Sequence, residues 1–591
     1  MNHWIIKLGS DLFGKSDIET IKNFISKSCS APTSYLFEFK RDHIHYVSFV
    51  PDSSQNDLNY HHESQEVLVG YSGLIACNTS SNTNYTNANS LSPYIYDLNR
   101  IFDVVDGSFA VFKISDTSFE CLTDTLSTHK VFYWQGNEKE VFVSNRFELI
   151  KLFVRPEPNL LFYLQYIAAG GLYGNSTDHA RIFSTTGCAR LRWNASDGLQ
   201  VDRYEPLEEI IKNNEAYEDL IRQTCLQLKN VAQYLVTYHK PVISLSGGFD
   251  SRVAINMFWG LNKENLTAYT FPDISVDTQI AKRLASTHGI SHYILRPSSK
   301  PDIEELDDFI QQIQTPFFDY NHVFRYLFND QIQAILRKKN AVLLTGLGGA
   351  THFGVSGYKK VHDFKGKEAI MCLLGYLIKK DYLTVEGYEA LKNHMTNYYT
   401  EAYLQLMNKN TPGYHLANYH FFFERFGNYQ AFKNHINSSE NNYYLPFGNK
   451  RFLQSVFASP KEKLFRQKKY SIHHELNYQL TNGSTSRIPF TKNIHWDATK
   501  LNRIEYRLER RIKQNLLNRF KVGKKYSDKV RRTFFYDNLS HYKEIIQSQK
   551  KSELWDFFDR EKIDNILLQE NLYDNHSSFI SKIVPLLKMN I

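Results

Sequence analysis

The stretch Ser244-Leu245-Ser246-Gly247-Gly248-Phe249-Asp250-Ser251-Arg252 places two glycines, two hydroxyls and a carboxylate in one turn. It follows an apolar run, Val242-Ile243, that reads as a short buried strand, and precedes Val253 to Trp259, which reads as the first turns of a helix. A strand, a Gly-Gly turn and a helix N-terminus together make an anion site, because successive backbone N–H groups point outward and the helix dipole favours negative charge. The glycines permit close backbone approach and positive φ. Ser246 and Ser251 add hydroxyl donors. Asp250 repels a phosphate directly, so its chemistry is to hold Mg²⁺, which bridges phosphate oxygens. The competing reading of the same residues is an ordinary Gly-Gly turn capped by serine.

Ser-Gly-Gly-x-Asp-Ser after a strand resembles the pyrophosphate loop of the asparagine-synthetase-like ATP pyrophosphatases, which adenylate a carboxylate with ATP and pass the acyl group to an amine or ammonia. The elements that follow occur in the family's order. Leu266 to Phe271 reads as a second strand, and Asp277-Thr278-Gln279-Ile280-Ala281 resembles the family's D-E-x-x-x-A helix. His288-Gly289-Ile290-Ser291-His292 resembles its return to the sheet. Strands alternating with helices argue for a parallel sheet with ligands beyond the strand C-termini. The resemblance then implies ATP and Mg²⁺ as cofactors, with Leu245, Ser246, Gly247, Gly248, Asp250, Ser251, Phe271 and Gly346 around the nucleotide and Asp250 on the metal. Asp277 reads either as a helix cap or as part of the ligand site.

A third strand, Ala341-Val342-Leu343-Leu344, leads into Thr345-Gly346-Leu347-Gly348-Gly349-Ala350-Thr351-His352-Phe353-Gly354. The family has Ser/Thr-Gly-x-Gly-x-Asp-Glu-x-Phe-Gly at this point. The glycines and phenylalanine are kept, but Ala350 and Thr351 stand where its acidic pair belongs. Nearby, Tyr358 matches a family tyrosine beside the acyl site, and His352 reads as a base or as a polar loop residue. Further on, Lys468 to His474 resembles the K-x-x-L-R helix and Arg487-Ile488-Pro489-Phe490-Thr491-Lys492 the iP-x-x-K loop. There the family's lysine neutralises an anion. Lys492 is the first candidate for that role and Lys469 the second, with solvated surface lysines as the alternative. Tyr419 to Phe426 and Tyr443 to Phe447 resemble the C-terminal helical lobe, with Asn449 replacing a common Asp.

The chain of 591 residues is too long for one core. Short alternating strands fill Trp4 to Phe153, and Asn78 to Ser92 reads as a loop. Asp106-Gly107-Ser108-Phe109-Ala110, Leu122-Thr123-Asp124, Val131-Phe132-Tyr133 and Val141 to Arg146 resemble, in order, the amidotransferase-type domain of the same family. Glutamine-using members carry a Cys directly after the initiator Met, where its own α-amine serves as base; here Asn2 follows Met1. Members without that Cys, such as β-lactam synthetases and lasso-peptide cyclases, use an amine on the substrate. The expected fold is α/β: an N-terminal Ntn-amidotransferase-like β-rich sandwich (1–155), a linker and hairpin (156–210), a PP-loop parallel-sheet domain with helical extension (211–530), and a helical tail (531–591). Leu207 to Val236 reads as one long helix leading into the loop strand.

Composition bounds the setting. Hydrophobic residues make up 42% and aromatic residues 14%, and the net charge of +8 is modest for this length. Six cysteines without Cys-x-x-Cys spacing suggest a reducing, cytoplasmic compartment. The most apolar stretch, Ala369 to Ile378, is too short to cross a bilayer. Lys500 to Arg532 reads as an amphipathic helix with a basic face, either solvated or facing an acidic substrate, carrier or nucleic acid, with nucleic acid not the expected partner. Two readings follow: an AMP-forming ligase acting on a small-molecule or peptide carboxylate, as a homodimer or with partner biosynthetic enzymes, or a degenerate homologue that binds nucleotide or a partner without turnover.

Overall fold

A computed structural model describes residues 3–28, 35–50, 59–62, 67–79, 84–85, 87–136, 140–155, 157–205, 207–212, 214–272, 276–312, 320, 323–336, 340–348, 359–404, 411–430, 442–459, 472–484, 526–569 and 572–588. The first two hundred residues contribute β1 (His3–Leu8), β2 (Tyr35–Arg41), β3 (Ile44–Val50), β4 (Asn59–His62), β5 (Val67–Cys77), β6 (Val105–Ile114), β7 (Ser118–Thr123), β8 (Phe132–Gln135), β9 (Val141–Ser144), β10 (Ile182–Ser184), β11 (Ala189–Asn194) and β12 (Gly198–Arg203). They form two six-stranded sheets, β10-β8-β9-β1-β3-β2 and β12-β11-β7-β6-β5-β4. Every pairing within them is antiparallel.

Period-two alternation builds the space between the sheets. Trp4, Ile6 and Leu8 of β1 point inward to meet Ala110, Phe112 and Ile114 of β6. The Trp4 and Phe112 rings lie 5.2 Å apart, as do those of Tyr46 and Phe112. The intervening residues, Ile5 on one sheet and Val69 and Val111 on the other, face outward into a second, larger core. That core also holds Phe13, Ile21 and Ile25, and continues into the rest of the molecule. A β-rich sandwich of the expected kind is therefore present, with outward residues of both sheets packed into that larger core.

The second half is built on a five-stranded parallel sheet, β15-β14-β13-β16-β17, from β13 (Lys240–Ser244), β14 (Thr267–Thr270), β15 (Ser291–Ile294), β16 (Ala341–Thr345) and β17 (Asn442–Tyr444). The chain leaves β13 to one side for β14 and β15, then returns to its other side for β16 and β17. The order therefore reverses beside β13, and α/β folds open their ligand crevice at such a point. β14 is buried along its whole length, as both-faced parallel strands are.

Three local readings need correction. Tyr443 and Tyr444, read with the helical lobe, form β17 and complete the parallel sheet. The single helix expected from Leu207 to Val236 is two, Leu207–Ile211 and Tyr217–Tyr238. Within the Asn78–Ser92 loop, Ala88–Tyr94 is a 3₁₀ helix whose start is capped by Asn87, which accepts from Asn89 N–H.

The two halves are fastened by buried polar groups. Tyr444 and Asn449 both donate to Asp106 Oδ2, at 2.7 and 2.8 Å, and Tyr443 donates to Thr128 O. Lys130, fully buried, donates to Thr185 O at 2.7 Å and to Asn428 Oδ1 at 3.1 Å. Asn428 and Gly174 N–H in turn donate to Glu424 Oε2, at 2.8 and 3.0 Å. Burial pushes the Lys130 ammonium down to about 7, against the attraction of Asp124 and Glu424. The folded state thus holds fewer protons here than the unfolded chain between pH 7 and the ordinary lysine range near 10.5, and stability through this group rises with pH across that window. The urea midpoint of the wild type is expected to rise from pH 7 to pH 9 relative to Lys130→Met; parallel pH profiles for the two proteins would exclude the linkage.

Candidate functional site

Register sets the site. Ser244 pairs with Tyr269 on one side and Thr345 on the other, so the turns after β13 and β16 emerge side by side. The turn after β13 enters the helix Phe249–Asn256, whose N-cap Gly248 (φ −69°, ψ 160°) makes no side-chain cap. The first N–H groups of a helix have no acceptor within it.

The loop's internal bonds come from its two serines. Ser246 N–H donates to Ser251 Oγ at 3.1 Å, and Gly248 N–H donates to Ser246 Oγ at 3.2 Å. The two hydroxyl oxygens lie 2.9 Å apart, and Ser251 Oγ also donates to Ser246 O at 3.0 Å. Both hydroxyls therefore shape the loop rather than standing ready as free donors. Leu245 is likewise occupied: its N–H donates to Tyr269 O at 2.8 Å and its carbonyl accepts from Thr270 Oγ1 at 2.8 Å.

The glycines serve close approach, not positive φ. A Cβ on Gly247 would fall 2.8 Å from Asp277 Oδ1 and 2.9 Å from its Cα. A Cβ on Gly346 would fall 2.7 Å from both the Asp250 carbonyl carbon and Ser251 N. Gly346 is thus the point where the β16 turn rests on the start of the loop helix. Asp277 lies under Gly247 and beside Arg252, a placement that makes it a support of the loop. Arg252 is fully buried, donates to Gly247 O at 3.3 Å, and is lowered to about 10 by burial, against the pull of Asp277. A guanidinium behind an anion loop adds favourable potential from the buried side.

Asp250 stands at the loop mouth, its side chain 35% exposed. Phe271, at the C-terminal end of β14, is half-buried and packs edge-on against Tyr269 and Phe328, with centroids 5.7 and 5.2 Å away. Leu245, Ser246, Gly247, Gly248, Asp250, Ser251 and Gly346 therefore lie together where β13 and β16 end, and Phe271 follows the neighbouring strand β14. Lys492, Lys469, Tyr358 and His352 lie outside the described residues, as do Ala350 and Thr351.

Residues not singled out from sequence complete the support. The helix Ile472–Thr481 runs beside the loop helix with His473, Asn477 and Thr481 buried along one stripe. Asn477 Nδ2 donates to Phe249 O at 3.3 Å, Asn256 Nδ2 donates to Asn477 Oδ1 at 2.7 Å, and His288 Nε2 lies 2.9 Å from Asn256 Oδ1. The four-residue spacing of His473, Asn477 and Thr481 beside the apolar Ile472, Leu476 and Leu480 was the available signal for a helix buried on a polar face as well.

One carboxylate at the mouth fits a magnesium ion that arrives with its nucleotide, since Mg²⁺ is commonly held by one or two carboxylates plus substrate phosphates and water. Among the described residues no group of three or more His, Cys, Asp or Glu could hold a metal by itself. Separately, a polar cavity of about 100 Å³ between the two halves is lined by Asn78, Asp106, Gln227 and Asn449 among others.

Introducing a methyl at Gly346 tests the loop's seating. Gly346→Ala is expected to weaken ATP binding and to destabilise the protein by about 1–3 kcal/mol through overpacking. Gly375→Ala, where a Cβ would meet nothing within 4 Å, is the control and should leave both unchanged or raise stability. Calorimetric titration with ATP and thermal unfolding read the two effects.

Residues 229–479 match the family described as asparagine synthase. No match is found among curated proteins. Among solved structures, the glutamine phosphoribosylpyrophosphate amidotransferase of B. subtilis is 8% identical, with 58% of this chain and 81% of that one covered and a TM-score of 0.24. The NH₃-dependent NAD synthetase of Campylobacter jejuni is 21% identical over 24% of this chain and 61% of its own, with a TM-score of 0.16. The NMN synthetase of Francisella tularensis is 22% identical over 24% and 59%, with a TM-score of 0.16. The chain thus spans about three fifths of each of these two synthetases. The family match covers the strand, the loop and most of the helix that supports it, so residues 229–479 are similar to the asparagine synthase family.

Proposed function

We propose that this chain is an ATP-dependent, AMP-forming ligase that adenylates a carboxylate and joins it to an amine or ammonia, with the chain divided at residues 155, 210 and 530. The observation that carries the reading is the loop Ser246 to Ser251, pressed against Gly346, with Asp250 at its mouth, inside the asparagine synthase match. Backbone N–H groups at the start of the loop helix receive the β- and γ-phosphates, and Arg252 adds positive charge from behind. Asp250 would hold Mg²⁺, which would supply neutralisation of phosphate charge. Phe271 offers an aromatic wall where the adenine would sit beyond β14. The carboxylate substrate, a small molecule or a peptide, attacks the α-phosphate, and the amine displaces AMP. By the family resemblance Lys492 or Lys469 would neutralise the anion, Tyr358 matches a tyrosine of the acyl site, and His352 would serve as a base.

Four of the described cysteines are poor candidates for a nucleophilic thiolate, which is in keeping with an amine or ammonia as nitrogen source. A glutaminase needs a thiolate. Burial pushes Cys188 and Cys225 up to about 12, and raises Cys121 and Cys372 as well. The five described cysteines are all unbonded, which suits a cytoplasmic setting. Among the described residues no helix is long and apolar enough to cross a membrane.

The alternative, nucleotide binding without turnover, is favoured by one observation, the Ala350-Thr351 pair in place of two acids. ATP–pyrophosphate exchange with a panel of carboxylates separates the two. Exchange above background, reduced roughly 100-fold or more by Asp250→Ala, is the expected outcome. ATP binding without exchange across the panel would leave the non-catalytic reading standing.

A further inference from the structure

Asp250 has a neighbour that the chemistry above leaves unused. His473 Nε2 lies 3.2 Å from Asp250 Oδ1, with the imidazole side chain 2% exposed. The ring packs edge-on against Phe447, centroids 5.3 Å apart and planes at 61°. Its helix is locked to the loop helix by Asn477, which donates to Phe249 O at 3.3 Å and to His473 O at 2.7 Å and accepts from Asn256. The imidazole is therefore held on both sides, by an aromatic edge and by a helix fixed to the backbone next to Asp250. A carboxylate on an exposed loop edge otherwise has rotamer freedom that must be lost when it engages a ligand.

We propose that His473 is the positioning residue for Asp250. Its protonated ring would pair with Oδ1 from the buried side, 3.2 Å away, and leave the exposed part of the carboxylate to the cation that accompanies the nucleotide. Partners of this kind, which orient a ligating carboxylate without touching the metal, govern metal affinity as strongly as many ligands do. The inference rests on the assignment of Asp250 made under Proposed function. It adds a residue whose side chain meets neither nucleotide nor metal, contributed by a helix some two hundred residues downstream in the chain.

The test measures binding, not turnover. α,β-Methylene-ATP is titrated into the full-length protein in EDTA and in Mg²⁺, and the ratio of the two Kd values gives the tightening due to the cation. Asp250→Asn is expected to abolish that tightening. His473→Leu is expected to reduce it by roughly 10-fold while leaving the affinity in EDTA unchanged, and His473→Gln, which keeps a polar atom toward Asp250, is expected to restore most of it. Thermal unfolding verifies each variant, and His473→Asn, too short to reach, replaces His473→Leu if the latter does not fold. Loss at Asp250→Asn with the wild-type ratio kept by a folded His473→Leu overturns this inference alone. A wild-type ratio kept by Asp250→Asn overturns the metal assignment and the inference with it.

Discussion

Two backbones meet at the ends of β13 and β16 more closely than side chains would permit. Gly346 sits where a Cβ would lie 2.7 Å from the peptide between Asp250 and Ser251, and Gly247 sits as close to Asp277. From these two approaches the rest of the site follows. They fix where the loop helix starts, and hence where its N–H groups point. They also leave the serine hydroxyls no role but to tie the loop to itself. A loop shaped this way is preorganised, so a bound anion need not supply the cost of ordering it.

What supports the loop from beneath is polar and fully packed. Arg252 with Asp277, and Asn256 with Asn477 and His288, lie in the interior and carry charge or amide groups that would be costly without partners. Burial lowers His288 to about 3, so it stays neutral in this network. Each group can face only its partner, so the network specifies one arrangement of three helices around the strand end. An apolar equivalent could pack in several.

Much of this was legible beforehand where residue type alone determines conformation. Strand, glycine pair and helix start are visible in Val242 to Trp259, and Phe109 to Ile114 reads as a strand, whereas its meeting with β1 across the sandwich comes only from the fold. Other parts were not. β17 is three residues long, too short for a period, and its tyrosines sit among aromatic helices; only pairing with β16 makes it a strand. The break between Ile211 and Tyr217 is marked by Asn213-Asn214, a turn-prone pair that a continuous apolar pattern on either side obscured. The position of His473 is set by a partner over two hundred residues away, a contact that no local pattern encodes.

The junction between the halves has a meaning beyond holding them together. β17 lies against β5 and β6 of the sandwich, and its two tyrosine hydroxyls find their acceptors in the sandwich, at Thr128 and Asp106. An edge strand of the parallel sheet is therefore finished by atoms from the other half of the chain. The two units are not exchangeable modules. A gene fragment encoding the parallel sheet alone would leave buried hydroxyls without acceptors and a hydrophobic face open to water. The first half thus contributes to assembly through Thr128, Asp106 and Lys130, whatever chemistry it performs.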